Sequence, residues 1–572
     1  MKKIIPVIVA IVLIFVIAAV GFGAKIIEKY SYSKEHADLE EYFGNTGADD
    51  VPIILQNEQI EEHAKVWDNV CYFDFATVHL YFNDRFYEDK QEGLLLYTLP
   101  DSIVKTEIGS SEYWTSYHVL DEAANKENAG YVIARYEGDT LYVAADFVKR
   151  YANFSYELFT EPYHMQVYTE WAEREMADIK KNTQVRYQGG IKSDILTDVA
   201  AGDSVIILEE MENWTKVKTR DAYIGYVENK RLTEKYYETP VAVTDYVQPE
   251  YKNITREGKI NLAWHAIYSV TGNDTLREVL ATTQSVNVIS PTWFVLTGND
   301  GDFTSLASKE YVRTAHDMGL EVWALISNIT DTETIDMYEL LSKTSKRARL
   351  IDNLILTAEE YELDGINIDF ENIGVDAGEA FIEFIRELSI PCREKGIVLS
   401  VDNYVPMGYN NYYHRKEQGV VADYVIIMGY DEHHGNSEEA GSVASIDFVE
   451  NGIAKTVEEV PPEKVINAIP FYTRIWETNG STVTSQVVGM DMAQQYLANH
   501  GIEKRWDEET CQNYGEYQSD NSHFQVWLED AESIKVKLNV MDKYHIAGVA
   551  EWRLGLESPS VWDEIAAYVN RN

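Results

Sequence analysis

The sequence predicts an α/β protein built on a closed barrel of parallel strands, and three observations support this fold class. From about Glu257 onward, short apolar runs alternate with amphipathic helical patterns. Eight such runs occur before the end of the chain, which is typical of a TIM (β/α)8 barrel. A doubly wound open sheet is the alternative, but no glycine-rich phosphate loop follows any run. The predicted strands are Ile260–Trp264, Ser285–Ile289, Leu320–Ile326, Gly365–Glu371, Gly396–Asp402, Tyr424–Tyr430, Val465–Phe471 and Ile546–Trp552.

The length of 572 residues predicts several domains, since domains usually hold about 100–200 residues. The barrel is assigned to residues 257–572. Its last two strands are separated by Arg474–His545, a segment too long for one helix. We therefore expect an insertion before strand eight that borders the cleft.

The N-terminus predicts a membrane anchor over residues 1–24. An uncharged apolar run from Ile4 to Ala24 follows Lys2 and Lys3. Such a helix rises about 1.5 Å per residue and spans the roughly 30 Å of a bilayer core. The two lysines favour a cytoplasmic N-terminus, which predicts a single-pass protein of the cell membrane with an extracellular catalytic domain. The alternative is a cleaved signal peptide and a secreted protein.

Two segments lie between the anchor and residue 174. Residues 25–50 are polar and rich in glutamate, and we interpret them as a stalk. Residues 51–174 contain short strand patterns such as Val78–Phe82, and Leu141–Val148 is typical of a strand that runs into a helix. This α+β module resembles the small domain at the N-terminus of copper amine oxidases, without metal ligands.

Residues 182–236 predict a small all-β barrel. About five short strands with turn signals between them follow one another within this stretch. Gly202-Asp203 before a strand, Trp214-Thr215-Lys216-Val217 and Gly225-Tyr226-Val227 resemble a bacterial SH3-type domain. The resemblance implies binding of a cell-wall peptide, and a structural spacer is the alternative.

The chemistry is concentrated in Leu363–Glu371. Side chains alternate between the two faces of a strand, so Asn367, Asp369 and Glu371 share the polar face that points into the barrel. They stand at the C-terminal end of the strand, where barrel active sites lie. Asp369 and Glu371 are about 7 Å apart at the Cα atoms. Repulsion between such carboxylates raises one pKa, so that one carboxyl group can serve as a general acid.

The pattern Asp364-Gly365-x-x-x-Asp369-x-Glu371 resembles glycoside hydrolase family 18. The resemblance implies a retaining reaction on β-linked N-acetylhexosamine polymers. Glu371 would protonate the leaving oxygen while the acetamide of the substrate attacks the anomeric carbon. Asp369 would orient and stabilise that acetamide, so no second protein nucleophile is needed, in contrast to the usual pair of carboxylates.

Other strand ends carry the same resemblance. Met428-Gly429-Tyr430-Asp431 matches the sixth strand of the family, Pro470–Arg474 the seventh and Ala547–Arg553 the eighth. Tyr430 would be catalytic by hydrogen bonding to the acetamide carbonyl, and Trp552 would stack under the sugar. The substrate-binding candidates are Asn367, Met428, Asp431, Trp552, Tyr472, Arg474, Trp293 and Tyr404.

Asn367 departs from the pattern of the chitinases in this family, which usually have a third aspartate at this position. The branch of spore-cortex-lytic N-acetylglucosaminidases is more similar, since it also has asparagine in Asp-Gly-x-Asn-x-Asp-Phe-Glu-Asn. Ile289–Phe294 resembles that branch as well. The resemblance implies that the substrate is the N-acetylglucosamine-containing glycan of peptidoglycan.

Composition excludes several other classes. The net charge of −46 argues against a nucleic-acid partner, because phosphate binding needs a basic surface. The three cysteines are widely spaced and suggest neither disulfides nor metal ligands. His433 and His434 are adjacent on an extended segment and point apart, so we expect no metal site and no cofactor.

Two alternative functions stay open at this point. The barrel could belong to a chitinase or to an endo-β-N-acetylglucosaminidase that acts on N-glycans. It could also be a non-catalytic glycan-binding protein, although such family members usually lose the acid that is present here as Glu371.

Overall fold

The computed structural model describes residues 5–121, 126–242, 244, 246–330 and 335–571, without the side chains of 5–7, 19 and 21–27. The chain forms two compact units. The first comprises residues 1–84, 108–112 and 128–248, and the second comprises 85–107, 113–127 and 249–572.

The second unit contains the predicted barrel of eight parallel strands. Its strands are β1 Ile260–His265, β2 Val288–Pro291, β3 Glu321–Ser327, β4 Gly365–Asp369, β5 Val398–Tyr404, β6 Tyr424–Met428, β7 Val465–Pro470 and β8 Gly548–Trp552. The barrel closes because β1 pairs with both β2 and β8. The largest shift at a strand start is in β2, which begins at Val288, because Ser285 has a φ of 62° that a strand cannot accommodate. The predicted α/β barrel is thus confirmed.

Alternation along each strand separates the two sides of the barrel wall. Ile366 and Ile368 of β4 face outward and are at most 1% exposed beneath the surrounding helices. Trp264 and Tyr424 face inward and form part of a separate apolar cluster inside the barrel. The helices that cover the outside are Leu276–Val279, Lys309–Asp317, Met337–Leu341, Thr344–Tyr361, Gly378–Lys395, Arg415–Val421, Ile446–Val457, Ala531–Lys543 and Val561–Val569.

An insertion follows β7, in the segment where one is predicted. It is a five-stranded antiparallel sheet with a helix and a small apolar core of its own. The sheet begins at Tyr472, directly after β7, so Tyr472 and Arg474 stand at the mouth of the barrel. Its elements are Tyr472–Asn479, Thr482–Gly489, Met490–Asn499, Arg505–Asp507, Gln512–Ser519 and Ser522–Leu528.

A second antiparallel sheet also belongs mainly to the barrel unit. The sequence pattern predicts a 51–174 module that includes these residues, but 85–107 and 113–127 group with the barrel. Asp89 explains this, because its Oδ2 accepts hydrogen bonds from the N–H and hydroxyl of Thr344, both at 2.7 Å, at the start of a barrel helix. The strands are Phe86–Asp89, Leu94–Thr98, Ile103–Glu107, Glu112–Ser116 and Glu127–Asn128.

The first unit contains two seven-stranded sheets. One of them, whose strands are shorter on average, is the SH3-type sheet. Gly225 lies in this sheet and leaves room for a neighbouring strand, because a Cβ atom at this position would lie only 2.5 Å from the Arg186 carbonyl oxygen. The larger sheet is made of Ser155–Thr160, Tyr163–Tyr168, Asp50–Leu55, Glu58–Trp67, Val70–Asp74, Thr140–Ala144 and Ala134–Glu137. The SH3-type sheet is made of Ile195–Val199, Thr183–Arg186, Ile224–Glu228, Trp214–Lys218, Ser204–Glu210, Arg174–Asp178 and Tyr236–Glu238. The remaining helices are Ile5–Tyr30, Leu39–Phe43, Phe75–Thr77 and Ala145–Val148, with a π-helical turn at Val78–Phe82.

The stalk predicted over residues 25–50 is wrong for its second half. Ser33 N–H donates to the Ile191 carbonyl at 2.7 Å, and Ala37 N–H donates to the Ile195 carbonyl at 2.9 Å. Phe43 is completely buried. Residues 33–43 are therefore packed against the SH3-type sheet, because their backbone extends its edge.

The predicted anchor coincides with helix Ile5–Tyr30, but Ile4 and several side chains of this stretch lie outside the described residues. Within the described part of the chain, we find no helix whose length and apolar character would let it cross a bilayer.

Candidate active site

The site is built around the C-terminal end of β4. At the start of this strand, Asp364 Oδ2 accepts the Val322 N–H at 2.8 Å and thereby ties β4 to β3. The next residue is Gly365. Any larger residue would clash here, because a Cβ atom at this position would lie 2.6 Å from Trp323 Cδ1. The Asp-Gly pair of the motif thus has a structural role, and it holds the strand that carries Asn367 and Asp369.

Asn367 is completely buried and makes three side-chain hydrogen bonds. Its amide oxygen accepts from Trp264 Nε1 at 2.9 Å and from Ser290 Oγ at 3.2 Å. Its amide nitrogen donates to Asp402 Oδ1 at 2.8 Å. Asn367 therefore links β1, β2, β4 and β5 below the reacting groups.

Two neighbouring strands present matched rows of polar side chains. The parallel register pairs Asn367 with Ser400 and Ile368 with Val401, which places Asp369 beside Asp402. Two residues further along, Tyr404 follows Asp402 and its hydroxyl donates to Glu371 Oε2 at 2.5 Å. The ends of β4 and β5 thus form a ladder whose two upper rows pair Asp369 with Asp402 and Glu371 with Tyr404.

Glu371 is held by its backbone as well as by its carboxylate. Its N–H donates to Asn328 Oδ1 at 2.8 Å, and its carbonyl accepts from Asn328 Nδ2 at 2.7 Å. Burial raises the pKa of Glu371, the hydrogen bond from Tyr404 lowers it, and the charge of Asp431 raises it. The net shift is upward, which is the direction that a general acid needs near neutral pH.

Burial also raises the pKa values of Asp369 and Asp402 well above the usual range. For Asp369 the charges of Asp402 and Glu371 add to the effect, and its buried Oδ1 has no hydrogen-bond partner among the described residues. For Asp402 the hydrogen bond from Asn367 opposes the effect. In the described part of the chain, no cationic side chain offsets these three carboxylates. They therefore titrate as a coupled group, and full ionisation is unfavourable.

The ends of β6 and β7 border the same space. Tyr430 packs against Tyr472 with ring centroids 6.2 Å apart. The hydroxyl of Tyr472 donates to Asp431 Oδ1 at 2.5 Å, and Asp431 takes a φ of 59° directly after Tyr430. Met428, at the end of β6, is 9% exposed and lies level with Tyr404 of β5. These contacts bring the predicted residues of strands five to seven together.

The end of β8 supplies the aromatic floor of the site. Trp552 is partly exposed and packs edge-on against Trp264 inside the barrel, with centroids 5.8 Å apart.

At the mouth, Arg474 donates to Ser485 Oγ at 3.0 Å, and its buried Nε has no partner among the described residues. Arg553 lies over the ring of Tyr268 at 5.8 Å.

Trp293 is the predicted substrate-binding residue that the structure does not bring into the site. Its ring is 1% exposed and packs against Tyr311, and its indole N–H donates to Asn273 at 2.8 Å. A buried ring has no face for a sugar, so the residue belongs to the outer core. The physical reason is that Trp293 follows the end of β2 and turns toward the outer helices.

Sequence reasoning missed two residues of the site. Asp402 could have been found, because Ser400 and Asp402 alternate with the apolar Leu399 and Val401 along β5 as the residues of β4 do. Asn328 gives no such signal, because it acts from a loop on the backbone of Glu371. Within the described ranges, no group of three histidine, cysteine, aspartate or glutamate side chains could hold a metal ion.

Comparison with known families defines the class. Residues 241–557, more than half of the chain, match the glycosyl hydrolases of family 18, and residues 181–233 match the bacterial SH3 domain. The chain therefore belongs to glycosyl hydrolase family 18 and is a glycosidase.

Three of the similar proteins come from Bacillus species. The uncharacterized glycosylase YvbX of Bacillus subtilis is 28% identical over 49% of this chain and 84% of its own length. The cortical fragment-lytic enzyme of Bacillus anthracis is 26% identical over 39% of this chain, which spans only 54% of that relative. The solved structure of the Bacillus cereus spore cortex-lytic enzyme SleL has a TM-score of 0.50 and 18% identity, covering 65% of this chain and 90% of its own. That structure supports the fold alone.

Proposed function

We propose that this protein cleaves β-linked N-acetylglucosamine glycans with retention of configuration, by substrate-assisted catalysis. The observation that carries the proposal is the half-buried ladder at the ends of β4 and β5, with Glu371 held by Tyr404 and Asn328. Catalysis is thereby assigned to Glu371, Asp369 and Tyr430.

Each catalytic group has a separate task in the proposed reaction. Glu371, whose pKa is raised by burial, donates its proton to the glycosidic oxygen as the bond to the leaving sugar breaks. The acetamide oxygen of the substrate attacks the anomeric carbon and leaves positive charge on the acetamide group. Asp369 accepts the acetamide N–H, and the hydroxyl of Tyr430 donates to the acetamide oxygen. Glu371 then removes a proton from the water that opens the intermediate.

The remaining candidates are assigned to binding. Trp552 provides an aromatic face under the sugar at the reacting subsite. Asp431, positioned by the hydroxyl of Tyr472, accepts hydrogen bonds from sugar hydroxyls. Met428 and Tyr404 shape the wall, and Asn367 fixes the groups beneath.

Peptidoglycan is the proposed substrate. Its glycan differs from chitin in carrying carboxylates. The name of the cortical fragment-lytic relative supports this choice. A second support is that Arg474 and Arg553, at the mouth of the barrel, form no ion pair with a described carboxylate. A half-buried cation without a carboxylate partner is suited to an anionic group of a ligand.

The test is Glu371→Gln, assayed by release of reducing ends from purified peptidoglycan. We expect a loss of about 10²–10⁴-fold, because proton donation in the transition state is removed. Glu321→Gln is the control, since Glu321 begins β3 at the opposite end of the barrel and pairs with Arg256. Full activity of Glu371→Gln would contradict the mechanism, and binding without turnover by the wild type would indicate a glycan-binding protein.

Parallel digestion of chitin oligomers and of high-mannose glycoproteins distinguishes the substrates. We expect faster turnover of peptidoglycan and a product that is initially the β-anomer. Preference for either of the other substrates would replace peptidoglycan by that glycan without affecting the assignment of Glu371.

Two predictions concern the parts of the chain outside the barrel. We propose a membrane location, supported by the uncharged apolar run Ile4–Ala24, and test it by fractionation of cells that produce the full chain. We also propose that the SH3-type sheet binds a cell-wall peptide, and the test is titration of the full chain with muropeptides.

A further inference from the structure

The orientation of the Asn367 amide is determined by its neighbours. Its oxygen accepts from two donors, Trp264 Nε1 and Ser290 Oγ, so its nitrogen must face Asp402. An aspartate at position 367 would instead bring a second carboxylate against Asp402. Two ionised carboxylates only accept hydrogen bonds, so none could form between them unless one carboxyl group is protonated. Asparagine at 367 and aspartate at 402 are therefore complementary.

Asp402 is also the lateral neighbour of Asp369. The register of β4 and β5 places the two residues side by side on the inner face, with about 4.8 Å between neighbouring strands. Asp402 is 3% exposed, and Asp369 has a buried oxygen without a partner among the described residues. Two such carboxylates cannot both ionise at low energetic cost, so the pair retains a proton.

The other titratable groups near this pair are carboxyl and phenol groups. Glu371 stands one row above on β4, Tyr404 stands above Asp402 on β5, and Tyr430 follows β6. None of them can supply a positive charge. The proton on the pair is thus what limits the negative charge beneath the substrate.

We propose that Asp402 is a positioning residue for the reaction described above, and that it supplies from β5 the carboxylate that is absent at position 367. The pair Asp369–Asp402 holds one proton. When positive charge develops on the acetamide group, that proton resides on Asp402 and leaves Asp369 ionised against the acetamide N–H. This inference rests on the proposed function.

Asp402→Asn tests the proposal, because it keeps the shape and removes the titrating group. We expect kcat to fall by up to about 10²-fold, since the orientation of Asp369 changes, while KM changes little. The variant leaves Asp369 without the neighbouring carboxyl group that raises its pKa, so Asp369 ionises at lower pH. The acid limb of the pH–rate profile should therefore move to lower pH, by about one unit. A merely structural effect would lower the rate and leave the profile in place.

Asn367→Asp gives the opposite perturbation and an independent variant. It adds a carboxylate to the group, so both limbs should move to higher pH. The double variant Asn367→Asp/Asp402→Asn relocates the carboxylate to β4 and should regain part of kcat. Limbs that stay in place in both single variants, or no recovery in the double variant, would overturn the assignment of Asp402.

Infrared spectroscopy provides a readout that does not depend on activity. At neutral pH the wild type should show a carboxylic-acid C=O stretch that Asp402→Asn loses. The band is identified in the difference between the two spectra, in which the stretches of other buried carboxyl groups such as Glu551 cancel, and melting curves verify that the variant is folded. If the band persists in the folded variant, Asp402 does not take part in holding the proton. If the band is lost but the wild type cleaves none of the glycans, the pair stands and the proposed function fails.

Discussion

The hydrogen bond from Tyr404 to Glu371 leads to a prediction about the pH dependence of the enzyme. Tyr404→Phe removes the hydroxyl that lies 2.5 Å from Glu371 Oε2. A donated hydrogen bond favours the ionised carboxylate and therefore lowers the pKa of Glu371. Burial and the charge of Glu371 keep the pKa of Tyr404 above its usual value, so the phenol remains a donor over the whole working range. Its removal must raise the pKa of Glu371.

The size of the shift follows from the strength of the bond. A hydrogen bond to a charged group contributes about 1.5–3 kcal/mol, and one pKa unit corresponds to about 1.4 kcal/mol. Glu371 is partly exposed, so water replaces some of the lost interaction. We therefore expect the pKa of Glu371 to rise by about one unit, at the lower end of that range.

The assay is kcat/KM as a function of pH, on whichever glycan the wild type cleaves. The alkaline limb reports the acid of the free enzyme, so it should move to higher pH in Tyr404→Phe. Tyr413→Phe is the matched control, since its hydroxyl donates to the Phe370 carbonyl at 3.0 Å and not to a carboxylate. An alkaline limb that stays in place, or moves to lower pH, would refute the role of Tyr404.

Two further predictions concern stability. Glu551 on β8 is completely buried, neither carboxylate oxygen has a partner among the described residues, and burial raises its pKa well above the usual value. Above about pH 4.3 the folded state then binds more protons than the unfolded state, so the stability of the folded protein falls as pH rises. Glu551→Met removes this cost and should raise Tm more at about pH 8 than at about pH 5. An equal gain at both pH values would show that Glu551 does not titrate differently on folding. Arg347 and Glu387 form a buried ion pair at 2.8 Å, so Glu387→Gln should cost about 3–5 kcal/mol in urea unfolding. Asp302→Asn, which breaks the exposed pair with Arg349, should cost less than about 1 kcal/mol, and equal costs would show that burial does not set the strength of the pair.

The order of the barrel strands and the polar face of β4 could be predicted because both depend on local periodicity. Alternation assigns Asn367, Asp369 and Glu371 to one face, and the structure has Asn367 and Asp369 there with Glu371 beyond the strand end. The same alternation over Leu399–Asp402 marks Asp402 as an inward-facing residue of β5. Asn328 could not be predicted, because its contacts depend on how the loop after β3 meets the backbone after β4.

Trp293 and residues 85–107 show the other limit of sequence patterns. A tryptophan just after a barrel strand can turn toward the cleft or toward the helices, and local sequence does not distinguish the two directions. The contacts of Asp89 with Thr344, and of Thr98 with Glu383 at 2.6 Å, join residues more than 200 positions apart. Such long-range packing has no periodic signal in the sequence.

The net charge of −46 acquires a different meaning beside the local charges at the site. Charge interactions in solution are screened within about 8 Å at physiological salt, so a bound glycan responds mainly to its nearest neighbours. Beneath the site these neighbours are carboxyl groups whose pKa values are raised by burial. At the mouth they are Arg474 and Arg553, without carboxylate partners in the described chain. The proposed binding of an anionic glycan is therefore compatible with the acidic net charge, although Asp431 also lies at the site, because two arginines stand at the mouth and burial raises the pKa values of the carboxyl groups beneath.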